Sequence, residues 1–127
     1  MDVVRLAIHG AAGRMGKRLV ALSTSDPAFE LVAAIEYAKH PDLGRDAGAL
    51  AGVAEAAVPL TSSLDFTADA VIDFSLPESA IALVQSCVTH HRPLVLATTG
   101  MSEDQKAVVR AAGQEIPLVW APSMSLA

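Results

Sequence analysis

The sequence predicts an α/β protein in which a doubly wound, mostly parallel sheet forms a single domain. Short runs rich in Val, Ile and Leu alternate with longer helical stretches, which is the pattern of successive βαβ units. A length of 127 residues suits one domain with its own core. Hydrophobic residues make up 52% of the chain and charged residues only 18%, a composition that excludes a disordered chain.

The first half of the chain contains three predicted strands and one main helix. The strands cover residues 3–9, 31–35 and 58–61, and the helix includes residues 17–22. Residues 36–52 lack periodicity and gather proline and glycine, so we expect a long loop there with at most one helical turn. Pro59 cannot donate to a ladder, which restricts the third strand to a sheet edge.

The second half contains the clearer elements. Its predicted strands cover residues 70–74, 94–97 and 118–121. Ser75 and Glu78 have the spacing of a capping box, which predicts a helix from there to about His91. Ser102, followed by two acidic residues, predicts the start of the next helix, which Gly113 closes.

Charge and composition exclude several classes of partner. The net charge of −5 argues against nucleic acid as a partner. No apolar run approaches the roughly 20 residues that span a bilayer, and the N-terminus lacks a signal-peptide pattern, so we expect a cytoplasmic protein without a membrane partner. A lone Cys87 supplies neither a disulfide nor a metal cluster, and its apolar neighbours predict a buried structural thiol.

Three glycines carry the main prediction about function. Gly10, Gly13 and Gly16 follow a strand and open a helix, which is the setting of a Rossmann-like dinucleotide fingerprint, although the spacing is G-x-x-G-x-x-G. The first glycine suits a tight turn, the second a close approach of the backbone to a pyrophosphate, and the third close helix packing. A tight turn without a ligand is the alternative.

The ends of the other strands support a nucleotide site. Glu36 ends the second strand 20 residues after Gly16, where an acid accepts hydrogen bonds from an adenosine ribose; a solvated loop acid is the alternative. Ligands of doubly wound sheets bind at the carboxyl ends of the strands. The later strands end at Phe74-Ser75 and at small, hydroxyl-bearing or glycine residues in 98–100 and 121–123, and a single cofactor accounts for all of them.

Four segments together resemble the N-terminal domain of the dihydrodipicolinate reductase (4-hydroxy-tetrahydrodipicolinate reductase) family. Residues 10–16 match its G-x-x-G-R-M-G motif, and residues 72–75 are similar to its I-D-F-[ST] segment. Residues 97–100 are similar to its G-T-T-G and residues 121–125 to its A-[PA]-N-[FM]-S. Ala97 in place of glycine and Ser123 in place of asparagine are departures at the nicotinamide end.

The resemblance implies a pyridine-nucleotide site. Its members would be Gly10, Ala11, Ala12, Gly13, Arg14 and Met15 at the pyrophosphate, Glu36 at the adenosine ribose, Phe74 and Ser75 between them, and Ala97, Thr98, Thr99, Ala121, Pro122, Ser123 and Met124 beside the nicotinamide. Tyr37 stands where many members carry an arginine for the 2′-phosphate of NADP. NADH should therefore be tolerated or preferred over NADPH, with Lys39 the nearest cation for the latter.

The function implied by the resemblance is hydride transfer from NAD(P)H to a cyclic dipicolinate precursor in lysine and diaminopimelate biosynthesis. The family's substrate domain, with its His-His…Lys segment, lies beyond residue 127, so we expect a fragment that binds cofactor without turnover. His90 and His91 should be exposed helix-end histidines rather than catalytic groups. The full-length form would be a homotetramer, and the fragment would expose an apolar sheet face.

Two alternatives share the fold. One is a stand-alone module that binds a nucleotide or CoA without chemistry. The other is the cofactor domain of another amino-acid or semialdehyde dehydrogenase, which has the sheet but not the whole set of four motifs.

Overall fold

The computed structural model describes residues 2–121, which form one six-stranded sheet with helices on both faces. The strands are β1 (Val4–His9), β2 (Phe29–Ile35), β3 (Leu60–Thr61), β4 (Ala70–Asp73), β5 (Leu94–Leu96) and β6 (Leu118–Trp120). The helices are α1 (Arg14–Ser25), α2 (Ala47–Leu50), α3 (Pro77–His90) and α4 (Glu103–Ala112). The strand order is β3-β2-β1-β4-β5-β6, and neighbouring strands pair in parallel. The predicted doubly wound fold is therefore confirmed, with its reversal between β1 and β4.

Two apolar layers hold the sheet because its central strands are buried on both faces. One layer packs beneath α1 and α2, and its buried residues include Leu6, Ile8, Val20, Leu31 and Leu60. The other packs beneath α3 and α4, and its buried residues include Ala7, Val71, Leu83, Leu94 and Val109. Cys87 lies in the second layer with no exposed surface, and burial raises the pKa of its thiol to about 11. This confirms a structural thiol.

Asp46 organises the long loop between β2 and β3. Its carboxylate accepts hydrogen bonds from the backbone N–H groups of Ala49 at 3.0 Å, Ala56 at 2.9 Å and Val58 at 3.0 Å. The first of these bonds caps α2, the single helical turn expected in this loop. The predicted edge strand is also present, but β3 begins only at Leu60, after the proline that lacks an N–H.

The two predicted capping boxes have different outcomes. Ser102 accepts the N–H of Gln105, and the Gln105 side chain accepts the N–H of Ser102, so that box is confirmed. Ser75 does not cap α3, and that prediction was wrong. The helix begins with Pro77 at its first position and Leu76 as its N-cap, because the Ser75 hydroxyl donates to Asp73 instead.

One row of β-branched side chains crosses the sheet on the face opposite α3 and α4. Ile72, Val95 and Val119 occupy successive positions in register on β4, β5 and β6. The row becomes exposed toward the sheet edge, where Val119 is 58% exposed. The sequence predicted an exposed apolar sheet face, and Ile72 and Val95 are half-buried in this row. No helix of residues 2–121 is both long and apolar enough to cross a membrane.

Candidate functional site

A cavity of about 850 Å³ opens at the carboxyl ends of β1, β2 and β4. This is the edge of the sheet where doubly wound folds bind their ligands, and the volume suits a small molecule or cofactor. Six of the sequence-predicted site residues line it, namely Gly10, Ala12, Gly13, Glu36, Phe74 and Ser75.

The turn between β1 and α1 requires glycine at two positions. Gly10 has a φ of +81°, and a Cβ there would lie 2.5 Å from the Phe74 carbonyl oxygen. A Cβ at Gly16 would lie 2.0 Å from the Gly10 carbonyl oxygen, so α1 can sit this close only without a side chain. These contacts match the predicted roles of a tight turn and of close helix packing. Among residues 2–121 no side chain caps α1, which leaves backbone N–H groups of its first turn available.

Glu36 connects the end of β2 to this turn. Its Oε2 accepts a hydrogen bond from the backbone N–H of Ala12 at 2.9 Å. Its own backbone N–H donates to the Thr61 carbonyl at 2.8 Å, which fixes the chain at this point. Glu36 is half-buried and lines the cavity, so it is not a freely solvated loop acid.

Two rings follow Glu36 along the cavity wall. The Tyr37 and His40 rings meet edge to face, with centroids 5.3 Å apart, and both line the cavity. Nδ1 of His40 accepts the backbone N–H of Asp42 at 3.0 Å. Sequence reasoning named Lys39 as the nearby cation, but Lys39 is exposed and His40 is the cavity residue. The position of His40 in the loop that follows β2 was the available sequence signal.

A buried polar network lies behind the glycine turn. His9 Nδ1 is 2.7 Å from Asp73 Oδ1, and the two residues are paired in register on β1 and β4. The Ser75 hydroxyl donates to the same oxygen at 2.6 Å. The Thr98 hydroxyl bonds the other carboxylate oxygen and accepts the Ser75 N–H at 3.1 Å. The network thus joins the ends of β1, β4 and β5. Sequence reasoning treated His9 and Asp73 separately and missed their pairing.

The other predicted residues that the structure describes do not line the cavity. Ala11, Ala97 and Thr98 are buried, Arg14, Met15 and Thr99 are exposed, and Ala121 is half-buried. Pro122, Ser123 and Met124 lie outside the described residues.

The wall also contains residues that sequence reasoning missed, namely Leu76, Pro77, Glu78 and Ser79 before and within the first turn of α3, and Gln105 of α4. His90 and His91 are exposed at the end of α3, as expected. Within residues 2–121 no group of three His, Cys, Asp or Glu side chains is placed to hold a metal.

A family model described as "Dihydrodipicolinate reductase, N-terminus" matches residues 4–124. The chain belongs to this family. The resemblance inferred from the four motifs is therefore confirmed at the level of the family, the dihydrodipicolinate reductase N-terminus.

Curated relatives agree with this family assignment. The chain is 53% identical to 4-hydroxy-tetrahydrodipicolinate reductase of Rhodopirellula baltica, covering 98% of this chain and 46% of the relative. It is 43% identical to the protein of the same name from Methylococcus capsulatus, covering 98% of this chain and 47% of that one. The chain therefore spans about half the length of the curated reductases it matches.

Solved structures share the fold of this reductase N-terminus. Dipicolinate-bound dihydrodipicolinate reductase from Paenisporosarcina sp. TG-14 superposes with a TM-score of 0.67 at 23% identity, over 87% of this chain and 43% of that chain. Aspartate semialdehyde dehydrogenase with NADP from Candida albicans superposes with a TM-score of 0.63 at 18% identity, over 77% of this chain and 30% of that chain. These likenesses concern the fold alone.

Proposed function

We propose that this chain is the pyridine-nucleotide-binding half of a 4-hydroxy-tetrahydrodipicolinate reductase. The family match over residues 4–124 carries the proposal. The position of the cavity supports it, because the family's glycine motif forms one wall at the carboxyl end of the sheet. Neither the stand-alone module nor another dehydrogenase gains a specific observation in its favour.

The residues present suit a dinucleotide. The backbone at Gly10, Ala12 and Gly13, with the uncapped start of α1, offers N–H groups to a pyrophosphate. The Glu36 carboxylate is the acceptor for the adenosine ribose hydroxyls. Phe74 and Ser75 supply the opposite wall.

The same proposal includes further cofactor-binding residues that rest on the family resemblance. They are Ala11, Arg14, Met15, Ala97, Thr98, Thr99, Ala121, Pro122, Ser123 and Met124. A bound, reduced nicotinamide would supply the hydride for the reduction. This chain's own residues would bind and orient that group.

NADH should be tolerated or preferred over NADPH. The resemblance implies an arginine for a 2′-phosphate where this chain has Tyr37. Tyr37 lines the cavity, and no lysine or arginine among the described residues lines it. The substrate of the whole enzyme would be a cyclic dipicolinate precursor held by a second domain. We further propose a homotetrameric, cytoplasmic full-length enzyme.

Isothermal titration calorimetry of this chain with NADH, NADPH and coenzyme A tests the proposal. We expect both pyridine nucleotides to bind, coenzyme A not to bind, and no NADH oxidation when the reductase substrate is added, because hydride transfer needs both reactants fixed together. Binding of coenzyme A without binding of either pyridine nucleotide would contradict the assignment. Turnover by the chain alone would contradict the placement of the catalytic groups elsewhere.

A further inference from the structure

His9 is a buried histidine next to the glycine turn that the proposed function does not use. It is 4% exposed and ends β1 immediately before Gly10. Its Nδ1 lies 2.7 Å from Oδ1 of Asp73, which has no exposed surface. Buried ionisable groups are tolerated where they are paired and hydrogen-bonded, as these two are.

The hydrogen-bond network determines which nitrogen of the His9 ring faces Asp73. Asp73 receives hydrogen bonds at both carboxylate oxygens, from the hydroxyls of Ser75 and Thr98, so it acts as an acceptor toward His9 as well. Nδ1 of His9 therefore carries the proton of the His9–Asp73 contact. The contact with Asp73 holds the imidazole ring in place, and Nε2 lies on the side of the ring away from Asp73.

Nε2 of His9 is the ring nitrogen that Asp73 does not occupy. Within residues 2–121 it has no hydrogen-bond partner. The enclosed side-chain polar atom that lacks a partner in this part of the chain is Nε1 of Trp120. Because His9 also lines the cavity, Nε2 is the ring nitrogen available to a ligand there.

The charged side chains around the cavity explain why Nε2 of His9 would matter to an anionic ligand. Its described lining includes the carboxylates of Glu36, on the β2 side, and Glu78, on α3, but no lysine or arginine. Arg14 is exposed on α1 and does not line the cavity. His9 and His40 are the lining side chains that can become cationic. Among the lining groups, the donors for a dinucleotide pyrophosphate would therefore be backbone N–H groups and a histidine side chain.

The protonation of the His9–Asp73 pair decides whether that histidine helps. With a proton on Nδ1 only, the pair has a net charge of −1 and turns a lone pair toward the cavity. With a second proton on Nε2, taken from solvent, the pair is neutral overall and turns an N–H donor toward the cavity. Only the second form can donate to a phosphate oxygen.

We propose that the His9–Asp73 pair is a proton-coupled pyrophosphate receptor, which takes up one proton as a dinucleotide binds and donates from Nε2 of His9 to a phosphate oxygen. Asp73, with Ser75 and Thr98, is the positioning group. This inference rests on the proposed function, because it assumes that a pyridine nucleotide occupies the cavity.

Calorimetry in pairs of buffers with different ionisation enthalpies tests the inference on the unmodified chain. The ligands are NADH and ADP-ribose, which contain the pyrophosphate, and adenosine, which does not. We expect uptake of up to one proton with the first two and none with adenosine. The affinities of NADH and ADP-ribose should fall as pH rises, by at most about tenfold per pH unit. This measurement needs no variant, so it does not depend on whether a substitution folds.

Three histidine variants assign the proton. His9→Gln should abolish the uptake and weaken ADP-ribose binding by about tenfold, because a charge-assisted hydrogen bond is lost. His40→Gln tests whether the second cavity histidine takes up the proton instead, and this variant should retain the uptake. His90→Gln is the matched control on the exposed end of α3 and should behave as the unmodified chain does. Thermal unfolding shows whether each variant is folded.

The outcomes separate the two proposals. Nucleotide binding without proton uptake, or uptake that persists in His9→Gln or disappears in His40→Gln, overturns the role of His9 and leaves the proposed function intact. Failure of the unmodified chain to bind any pyridine nucleotide overturns both.

Discussion

The carboxylate of Glu36 accepts the backbone N–H of Ala12 at 2.9 Å, and this bond joins the end of the second strand to the glycine turn. The two halves of the proposed adenosine–pyrophosphate site are thus in direct contact before any ligand is considered. A ribose hydroxyl that binds Glu36 would meet a carboxylate whose position the protein backbone already fixes. Such preorganisation reduces the entropic cost of binding.

Replacing Glu36 with glutamine should weaken NADH binding by about tenfold, because a neutral amide oxygen is a poorer acceptor than a carboxylate. The change preserves the size of the side chain and leaves an oxygen for Ala12. Calorimetric titration measures the effect, with the exposed Glu55→Gln as the matched control. An affinity within twofold of the original chain would remove Glu36 from the site.

Replacing Gly16 with alanine should lower the free energy of unfolding by about 3 kcal/mol, because the added Cβ would overlap the backbone of the tight turn. The Gly10 carbonyl oxygen would lie 2.0 Å from that Cβ. Gly113→Ala provides the comparison, since Gly113 has an ordinary helical φ of −62° and its Cβ would lie 3.4 Å from the nearest atom outside its chain neighbours. Urea unfolding of both variants tests the difference, and equal stabilities would contradict it.

Replacing Tyr37 with arginine should shift the preference toward NADPH by about tenfold or more, because a guanidinium can bond a 2′-phosphate through two N–H groups. Tyr37 is 50% exposed, so the new side chain fits without disturbing the core. The ratio of dissociation constants for NADH and NADPH is the relevant quantity. Lys39→Ala should leave that ratio unchanged. NADPH binding tenfold tighter than NADH in the unmodified chain would contradict the assigned preference.

Asp46 should contribute to stability in a pH-dependent way. The N–H of Ala56, followed by those of Ala49 and Val58, lowers the pKa of its carboxyl group below the ordinary value. The folded state therefore favours the ionised form. Its contribution is complete above the unfolded pKa of about 3.9 and is lost as pH falls through the lower, folded pKa.

Asp46→Asn should consequently lower the Tm at pH 7, and the difference from the unmodified chain should shrink between about pH 4 and pH 2. Thermal unfolding followed by circular dichroism over this range measures it. Asp65→Asn, at an exposed position, is the control. A difference that stays constant down to pH 2 would show that the charge on Asp46 is not responsible.

The sequence predicted the features that depend on neighbours along the chain. The glycine turn, the capping box at Ser102 and the edge position of β3 each follow from a few adjacent residues, and all three are present. Ser75 failed as a cap because its hydroxyl bonds Asp73, in competition with the helix end. That competition depends on a tertiary network, which spacing along the chain does not show.

The missed part of the candidate site depends on strand register. His9 and Asp73 are 64 residues apart in sequence and adjacent only because β1 and β4 pair directly. The wall from α3 was missed for a related reason, since the true first turn at Pro77 differs from the predicted one. Register and helix starts of this kind follow from the packed sheet as a whole.

The strip of Ile72, Val95 and Val119, which is exposed at its Val119 end, affects how this chain behaves at high concentration. It runs to β6, which is an edge strand in the part of the chain that the structure describes. An apolar strip beside unpaired backbone groups promotes self-association between copies. Binding measurements therefore belong at the lowest protein concentration that calorimetry permits, with light scattering to confirm that dilution leaves the apparent affinity unchanged.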